Sequence, residues 1–231
     1  MNDYWCVHFD MNAEQFKDQL FKQVGKTKNG QEVSESQIEL IISAITSSLK
    51  LDSSDKVIDL CCGNGVLTEK ISTIVAEVTG VDYSINLIRV AKNSSEANTY
   101  NITYFHTDIM SLEPAFFAGR EKIYMYEGLQ YLTPESLEIL LTILQKTSGN
   151  PKIFIGGIPD RQKLTKYYDT PDKYDYYVQC EKKERPHMGR WWLMDEITKI
   201  ASEKGFRVTY IAQAPSLYTS YYRFDCLLEY L

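Results

Sequence analysis

The sequence predicts an α/β protein. It is a three-layer sandwich in which helices cover both faces of a mostly parallel, seven-stranded sheet with an antiparallel last strand. Three observations carry this. From residue 56 to residue 155, five short apolar runs alternate with segments of helical periodicity, and continuous apolar runs are the pattern of parallel strands buried on both faces. The last two runs, residues 206–212 and 224–230, are joined by a loop without a helix, as in an antiparallel hairpin at a sheet edge. The 231 residues, 44% hydrophobic and 24% charged, are enough for one domain with a sizeable core.

In chain order, residues 1–33 are polar and aromatic, with a short helix expected around 13–23. Ser34-Glu35-Ser36-Gln37 reads as a capping box. Behind it Ile38, Ile41, Ile42, Ile45 and Leu49 recur at helical spacing. Strand 57–60 runs into Gly63-Asn64-Gly65 and a helix over 66–75. A strand at 78–81, a helix from about Ser84, and strands at 102–106 and 123–126 follow. Thr133-Pro134 is a cap with proline at the first helical position, opening a helix over 134–147 with Leu137, Leu140, Leu141 and Leu144 on one side. Strand 152–155 follows, and later a helix over 194–204 ended by Gly205. No repeat interrupts this order. One domain over 1–231 is expected: a helical arm (1–50), a ligand-binding half (55–158), an insertion (159–192) and a C-terminal helix and hairpin (193–231).

The net charge of −6 argues against a broad phosphate-binding face, and Lys182, Lys183 and Arg185 read as a solvated loop. A small-molecule partner is expected, and no nucleic acid. Five cysteines, two of them adjacent in an apolar run, argue against a disulfide framework. There is no CxxC pair and no iron–sulfur spacing, and no metal is expected. No segment approaches 18 apolar residues, and MNDYWCVHFD lacks the basic start and apolar run of a signal peptide, so the expectation is a cytoplasmic protein without a membrane span. The sequence leaves the oligomeric state open.

A ligand of an open α/β sheet sits beyond the carboxyl ends of its strands, where strand order switches. Three acids fall there in register: Asp59 in Asp59-Leu60-Cys61-Cys62-Gly63-Asn64-Gly65, Asp82 after the second strand, and Asp108 after the third. Gly63 and Gly65 let backbone approach a ligand closely and turn tightly into a helix. A dinucleotide fingerprint needs a third glycine at position 68, which is Thr68. Asp59 would also repel a pyrophosphate, whereas it suits a cationic amino group. Asp82 is placed to accept both ribose hydroxyls of an adenosine, and Asp108 to accept an exocyclic amine.

These motifs resemble the first three cofactor motifs of the class I, Rossmann-like S-adenosylmethionine-dependent methyltransferases. The resemblance runs from about residue 55 to the end of the chain. It implies S-adenosyl-L-methionine as cofactor, with Asp59 and the Gly63-Asn64-Gly65 turn at its methionine moiety, Asp82 on the ribose, Asp108 on the adenine amine, and Tyr83 and Ile109 sandwiching the ring. Cys61 stands where the family usually has the first glycine. A finer resemblance lies in Gln23-Val24-Gly25-Lys26-Thr27, Asp59 to Gly65, Tyr126-Glu127-Gly128-Leu129-Gln130-Tyr131 and Tyr222-Arg223-Phe224-Asp225. These are similar to bacterial methyltransferases found with surface-polysaccharide biosynthesis genes. It implies a sugar, a sugar-nucleotide or a related phosphate-bearing acceptor, methylated on O or N.

Methyl transfer to O or N depends mainly on placing the nucleophile, with a base needed for a hydroxyl. Glu127, ending the fourth strand, is a candidate base or a ligand for the cofactor's amino group, and His187 is the candidate histidine. Gln23 and Lys26 are expected to face the cleft from an arm that closes over the cofactor. Gln130 and Tyr131 follow Glu127 on the same loop. Residues 159–192, with Tyr167, Tyr168 and Trp191, read as an aromatic lid over the substrate. The absence of an Asn/Asp-Pro-Pro-Tyr motif and of a Pro-Cys pair disfavours methylation of nucleic-acid bases. A catalytically silent cofactor-binding scaffold is the alternative.

Overall fold

The computed structural model describes residues 3–95 and 101–231. In chain order the elements are α1 (Asp3–Gln15), α2 (Leu20–Gln23), β1 (Thr27–Lys28), β2 (Gln31–Glu32), α3 (Glu35–Leu49), β3 (Lys56–Leu60), α4 (Val66–Ser72), β4 (Glu77–Asp82), α5 (Ile85–Ser95) and β5 (Ile102–His106). They continue with β6 (Lys122–Tyr126), α6 (Pro134–Gln145), β7 (Lys152–Pro159), α7 (Leu164–Tyr167), α8 (Pro171–Lys182), α9 (Met194–Glu203), β8 (Phe206–Ile211) and β9 (Arg223–Tyr230). The main sheet has seven strands in the order β5-β4-β3-β6-β7-β9-β8. The pairs from β5 to β7 are parallel, and β9 is antiparallel to both β7 and β8.

The apolar runs are continuous because both faces of the sheet are buried. Ile58, Ile123, Met125, Ile153 and Ile155 pack with Leu137, Leu140 and Leu144 of α6 and Ile197 of α9. The intervening Val57, Tyr124 and Phe154 pack with Ile38, Ile41 and Ile45 of α3 and Leu67 and Ile71 of α4. At α6 the cap forms as expected: Ser136 N donates to Thr133 Oγ1 at 3.2 Å, with Pro134 at the start of the helix.

Several local expectations are corrected. The arm's main helix is α1, which starts ten residues before residue 13 and ends at Gln15, and α2 is a separate single turn. The capping box at Ser34 does not form. Gln37 Nε2 donates to Ser216 O at 3.2 Å and its Oε1 accepts from Tyr218 N at 2.7 Å, so tertiary partners take the side chain meant for the helix end. Asn29 (φ 52°) and Gly30 (φ 76°) form an unforeseen hairpin turn between β1 and β2. The insertion is helical rather than irregular, with Thr170 Oγ1 capping α8 by accepting from Lys173 N at 3.3 Å.

Candidate active site

β3 lies between β4 and β6, so strand order reverses at the carboxyl end of β3, and a pocket opens there. Counted out to its open mouth, its space is about 870 Å³.

The turn leaving β3 is tightly made. Cys61, Gly63 and Gly65 all have positive φ, at 60°, 58° and 79°. A Cβ on Gly65 would stand 2.3 Å from the Tyr104 hydroxyl oxygen, and one on Gly63 would stand 2.8 Å from Val24 Cγ1. The arm therefore rests directly on this turn. Asp82 holds it from the next strand, its Oδ2 accepting from Gly63 N and its Oδ1 from Ser84 N, both at 2.8 Å. Burial pushes the Asp82 carboxyl above its ordinary range, against these backbone hydrogen bonds. Asp59 is more enclosed. Its Oδ2 accepts from Thr68 Oγ1 at 2.6 Å and Tyr124 OH at 2.8 Å, and burial pushes its carboxyl up to about 7. Asn64 Nδ2 donates to Leu20 O at 2.8 Å and Gln23 Oε1 at 2.9 Å, while its Oδ1 is buried without a partner among the described residues.

At the other end of the pocket stands Glu127, a non-glycine residue at φ 57°. A bulge in β7 makes room for it. Gly157 has φ 67°, and a Cβ there would meet Glu127 Cγ at 2.6 Å. Glu127 N donates to Gly156 O at 2.8 Å. Its carboxylate pairs with Lys26 Nζ at 2.8 Å, the side chains being 11% and 5% exposed. Burial works to raise the Glu127 carboxyl, but the charges of Lys26 and Arg223 outweigh it and hold the group below its ordinary range. Arg223 donates to Gln130 Oε1 at 2.5 Å and to Gly157 O, and Gln130 Nε2 donates to Tyr131 OH at 2.7 Å. Asp225 Oδ1 accepts from Gly157 N at 2.8 Å. Segments 23–27, 126–131 and 222–225, far apart in sequence, thus meet around one buried polar network.

Of the residues singled out from the sequence, Asp59, Cys61, Gly63, Asn64, Asp82, Tyr83, Ile109, Lys26, Glu127 and Tyr131 line the pocket. Gly65 shapes the turn behind it. Gln23 does not face the cleft: it is fully buried, its Nε2 donating to Phe16 O at 3.1 Å. Gln130 stands behind Tyr131. Asp108 lies outside the lining and caps a short turn, its Oδ1 accepting from Met110 N at 2.9 Å.

The lid expectation is corrected. Tyr167, Tyr168 and Trp191 do not line the pocket; they pack with Tyr222 into an aromatic cluster whose Tyr222 ring lies 5.2 Å from the Arg223 guanidinium. His187 belongs with them, its Nδ1 3.1 Å from the Tyr168 hydroxyl, and burial lowers its affinity for a proton. It is not brought to the site as a base. Glu127 is brought there, but its pairing with Lys26 opposes the tuning toward neutrality that a base requires.

The pocket's cover is instead α1. Trp5 and Phe9 line it and pack on Tyr131, with ring centroids 4.6 and 5.2 Å away. Asp10 fastens α1 at the start of α5, its Oδ1 accepting from Ser84 Oγ at 2.5 Å and Asn86 N at 3.1 Å. Sequence reasoning missed these residues, although Trp5, Phe9 and Ala13 recur every four residues, a short helical stripe.

Residues 57–147 match the model of a family described as a methyltransferase domain. A ubiquinone biosynthesis O-methyltransferase of Coxiella burnetii (strain RSA 493 / Nine Mile phase I) is 49% identical over 53 residues, 23% of each protein. The chain thus spans less than a quarter of the length of the curated relatives it matches first. Among solved structures, magnesium protoporphyrin IX methyltransferase from Synechocystis PCC 6803, with bound S-adenosylhomocysteine, superimposes with a TM-score of 0.67 at 15% identity over 100% of both chains. Mycolic acid cyclopropane synthase, complexed with S-adenosylhomocysteine and CTAB, gives 0.69 at 15% identity over 98% of this chain and 96% of that one. At these identities the likeness establishes the fold: this chain has the Rossmann-like α/β architecture of those methyltransferases.

Proposed function

We propose that the protein is an S-adenosylmethionine-dependent methyltransferase acting on O or N of a small molecule. The observation that carries this is the pair of carboxylates, buried Asp59 and half-buried Asp82, at the ends of adjacent strands around one glycine turn. Burial works against the charge on both, and the unpartnered Asn64 Oδ1 adds a third acceptor in the same lining. Such a set fits a ligand rich in donors, with an ammonium for Asp59 and ribose hydroxyls for Asp82.

When bound, S-adenosylmethionine supplies a methyl group on a sulfonium. The chain's own residues bind and orient. Trp5, Phe9 and Tyr131 exclude water, and Glu127, held ionised, accepts a hydrogen bond from the acceptor's O–H or N–H. Placement of this kind is worth up to about 7–11 kcal/mol in favourable systems. We read the acceptor as a sugar, sugar-nucleotide or phosphate-bearing precursor of a surface polysaccharide. The convergence of segments 23–27, 126–131 and 222–225 on one end of the pocket supports this, because these are the segments that carry the finer resemblance.

Labelled methyl transfer from S-adenosylmethionine into a pool of sugar nucleotides tests the reading. Incorporation is expected. Binding of the cofactor without transfer to any acceptor would favour the silent scaffold, and absence of binding would end the methyltransferase reading.

A pH dependence follows from Asp59. Its carboxyl, pushed up to about 7, is more than half protonated at pH 6.5 in the free protein. An ammonium ligand favours the ionised form. Binding of S-adenosylhomocysteine is therefore expected to release a proton at pH 6.5 and to tighten from pH 6 to pH 8. Calorimetry in two buffers of different ionisation enthalpy measures this. Asp59→Asn should abolish the release, and a wild-type affinity flat across this range contradicts the assignment.

A further inference from the structure

Gln130 is buried between two side chains that leave its amide one orientation. A guanidinium carries donors only, so Arg223, donating at 2.5 Å, admits only the amide oxygen. The amide nitrogen is thereby turned to Tyr131 and donates to its hydroxyl at 2.7 Å. Arg223 is itself held in place. It is buried, it also donates to Gly157 O, and its guanidinium lies 5.2 Å from the Tyr222 ring centroid. The backbone beneath is secured as well, because Gln130 O accepts from Arg190 N at 2.7 Å.

A phenol has one proton to give. With its oxygen already accepting from Gln130, the Tyr131 hydroxyl finds no acceptor for that proton among the described residues. Trp5 and Phe9 hold the ring in the pocket lining. Burial pushes the phenol's pKa well above its ordinary value, so it keeps the proton. The group is a donor and not a base. The lining around it is poor in free positive charge. Among the described residues Lys26 is its only lysine, arginine or histidine, and Glu127 pairs with it, whereas three carboxylates line the same space.

From this we infer that Arg223, acting through Gln130, fixes the Tyr131 hydroxyl as a donor into the acceptor end of the pocket, and that the methylated molecule places a neutral oxygen there, beside its reacting group. Glu127 then accepts from the reacting O–H or N–H, and Tyr131 donates to the lone pair next to it. A ring ether or a neighbouring hydroxyl meets both demands. An ammonium in that place has no lone pair to offer, and a phosphate or carboxylate meets three carboxylates and no free cation. The inference rests on the methyltransferase reading above and narrows its substrate class. A sugar ring qualifies, and a phosphate carried by the same molecule stands outside this lining. Tyr131 touches the methylated molecule, while Gln130 and Arg223 are positioning residues.

The test compares cyclohexanol with 3-hydroxytetrahydropyran, the same ring with one methylene replaced by an ether oxygen that can only accept. Each is titrated by ligand-observed NMR into the full chain saturated with S-adenosylhomocysteine. The readout is the change in their affinity ratio between wild type and variants, in which the ether's own desolvation cancels. Tyr131→Phe keeps the ring against Trp5 and Phe9, and should shift the ratio toward cyclohexanol by roughly two- to twelvefold, the range of one hydrogen bond. Gln130→Glu should shift it by a similar factor. A carboxylate there accepts from Arg223 with one oxygen and from Tyr131 with the other, which turns the phenolic proton away from the pocket. The double variant should shift the ratio no further than Tyr131→Phe alone.

A ratio unmoved by Tyr131→Phe overturns the inference, and this includes equal weakening of both probes, the result a merely structural tyrosine gives. A shift in Tyr131→Phe without one in folded Gln130→Glu overturns the relay through Gln130. If Gln130→Glu does not fold, Gln130→Met replaces it without a buried charge and should shift the ratio the same way, since nothing then orders the phenolic proton. Absence of binding by either ring to the loaded chain also overturns the inference. Failure of S-adenosylhomocysteine to bind the wild-type chain would instead remove the cofactor reading on which it rests.

Discussion

Asp82→Ala is expected to weaken S-adenosylhomocysteine binding by roughly ten- to 150-fold, the equivalent of about 1.5–3 kcal/mol for charge-assisted hydrogen bonds left unmade. The expectation has two sources. The carboxylate is the proposed acceptor for the ribose hydroxyls, and it also ties Gly63 N and Ser84 N together across the turn. Stability and binding should separate in this variant. Burial disfavours the charged carboxylate in the fold, so its removal relieves one cost while leaving two backbone N–H groups without their partner. These effects oppose each other in unfolding, whereas loss of the ribose acceptor and loss of the tie across the turn both act against the ligand. Titration calorimetry checks the affinity and urea unfolding checks the fold. Wild-type and Asp82→Ala affinities within twofold of each other would remove Asp82 from the site.

The half of the molecule that builds this site was the legible half. Strands β3, β4, β6 and β7 are buried on both faces beyond their first residues, so their apolar runs stand out, whereas the edge strand β5 fully buries only Tyr104. The Gly63-Asn64-Gly65 turn and the acids at 59 and 82 are adjacent in sequence to the strands that place them.

The arm was harder to read because its helix faces two environments. α1 buries Trp5 and Ala13 yet exposes Val7 (56%) and Met11 (60%), which blurs the amphipathic pattern. α8 buries none of its residues fully, so it lacks an apolar stripe. Its Thr170-Pro171 start nevertheless repeats the Thr133-Pro134 signal. Gln23 and Gln37 show a different limit. Their local context suggested a cleft and a cap, but Gln23 is taken by Phe16 O and the Asn64 side chain, and Gln37 by Ser216 O and Tyr218 N. The pair Lys26–Glu127 spans 101 positions, and no local pattern encodes such a contact. Glu127 stood out by its place at the end of a strand and Lys26 by its polar segment in the arm, and neither signal pairs the two.

Trp192→Ala is expected to destabilise the protein by about 3–5 kcal/mol, the usual cost of truncating a buried tryptophan to alanine. Trp192 is fully buried in the core shared by β6, β7, α6 and α9, and its role extends beyond filling space. Its Nε1 donates to Leu129 O at 3.2 Å, securing the turn that carries Gln130 and Tyr131. Its backbone N donates to Pro159 O at 2.9 Å, and its O accepts from Arg161 N at 3.0 Å, so the same residue attaches the insertion to the end of β7. The Arg190 guanidinium lies over the ring, 4.9 Å from the centroid. Trp192→Phe keeps most of the apolar contact and removes only the indole donor, while Leu129 O keeps its bond from Leu132 N at 3.0 Å. Its expected cost is about 0.5–1.5 kcal/mol, that of one hydrogen bond. Urea unfolding of the two variants separates the packing loss from the hydrogen-bond loss. In Trp192→Phe, protein that is still folded should bind S-adenosylhomocysteine normally, because Trp192 does not line the pocket, while labelled-methyl turnover falls as Tyr131 loses its support. A Trp192→Ala loss below about 1.5 kcal/mol would show that the core can collapse into the space left by the ring, and unchanged turnover in Trp192→Phe would show that the turn under Tyr131 holds without it.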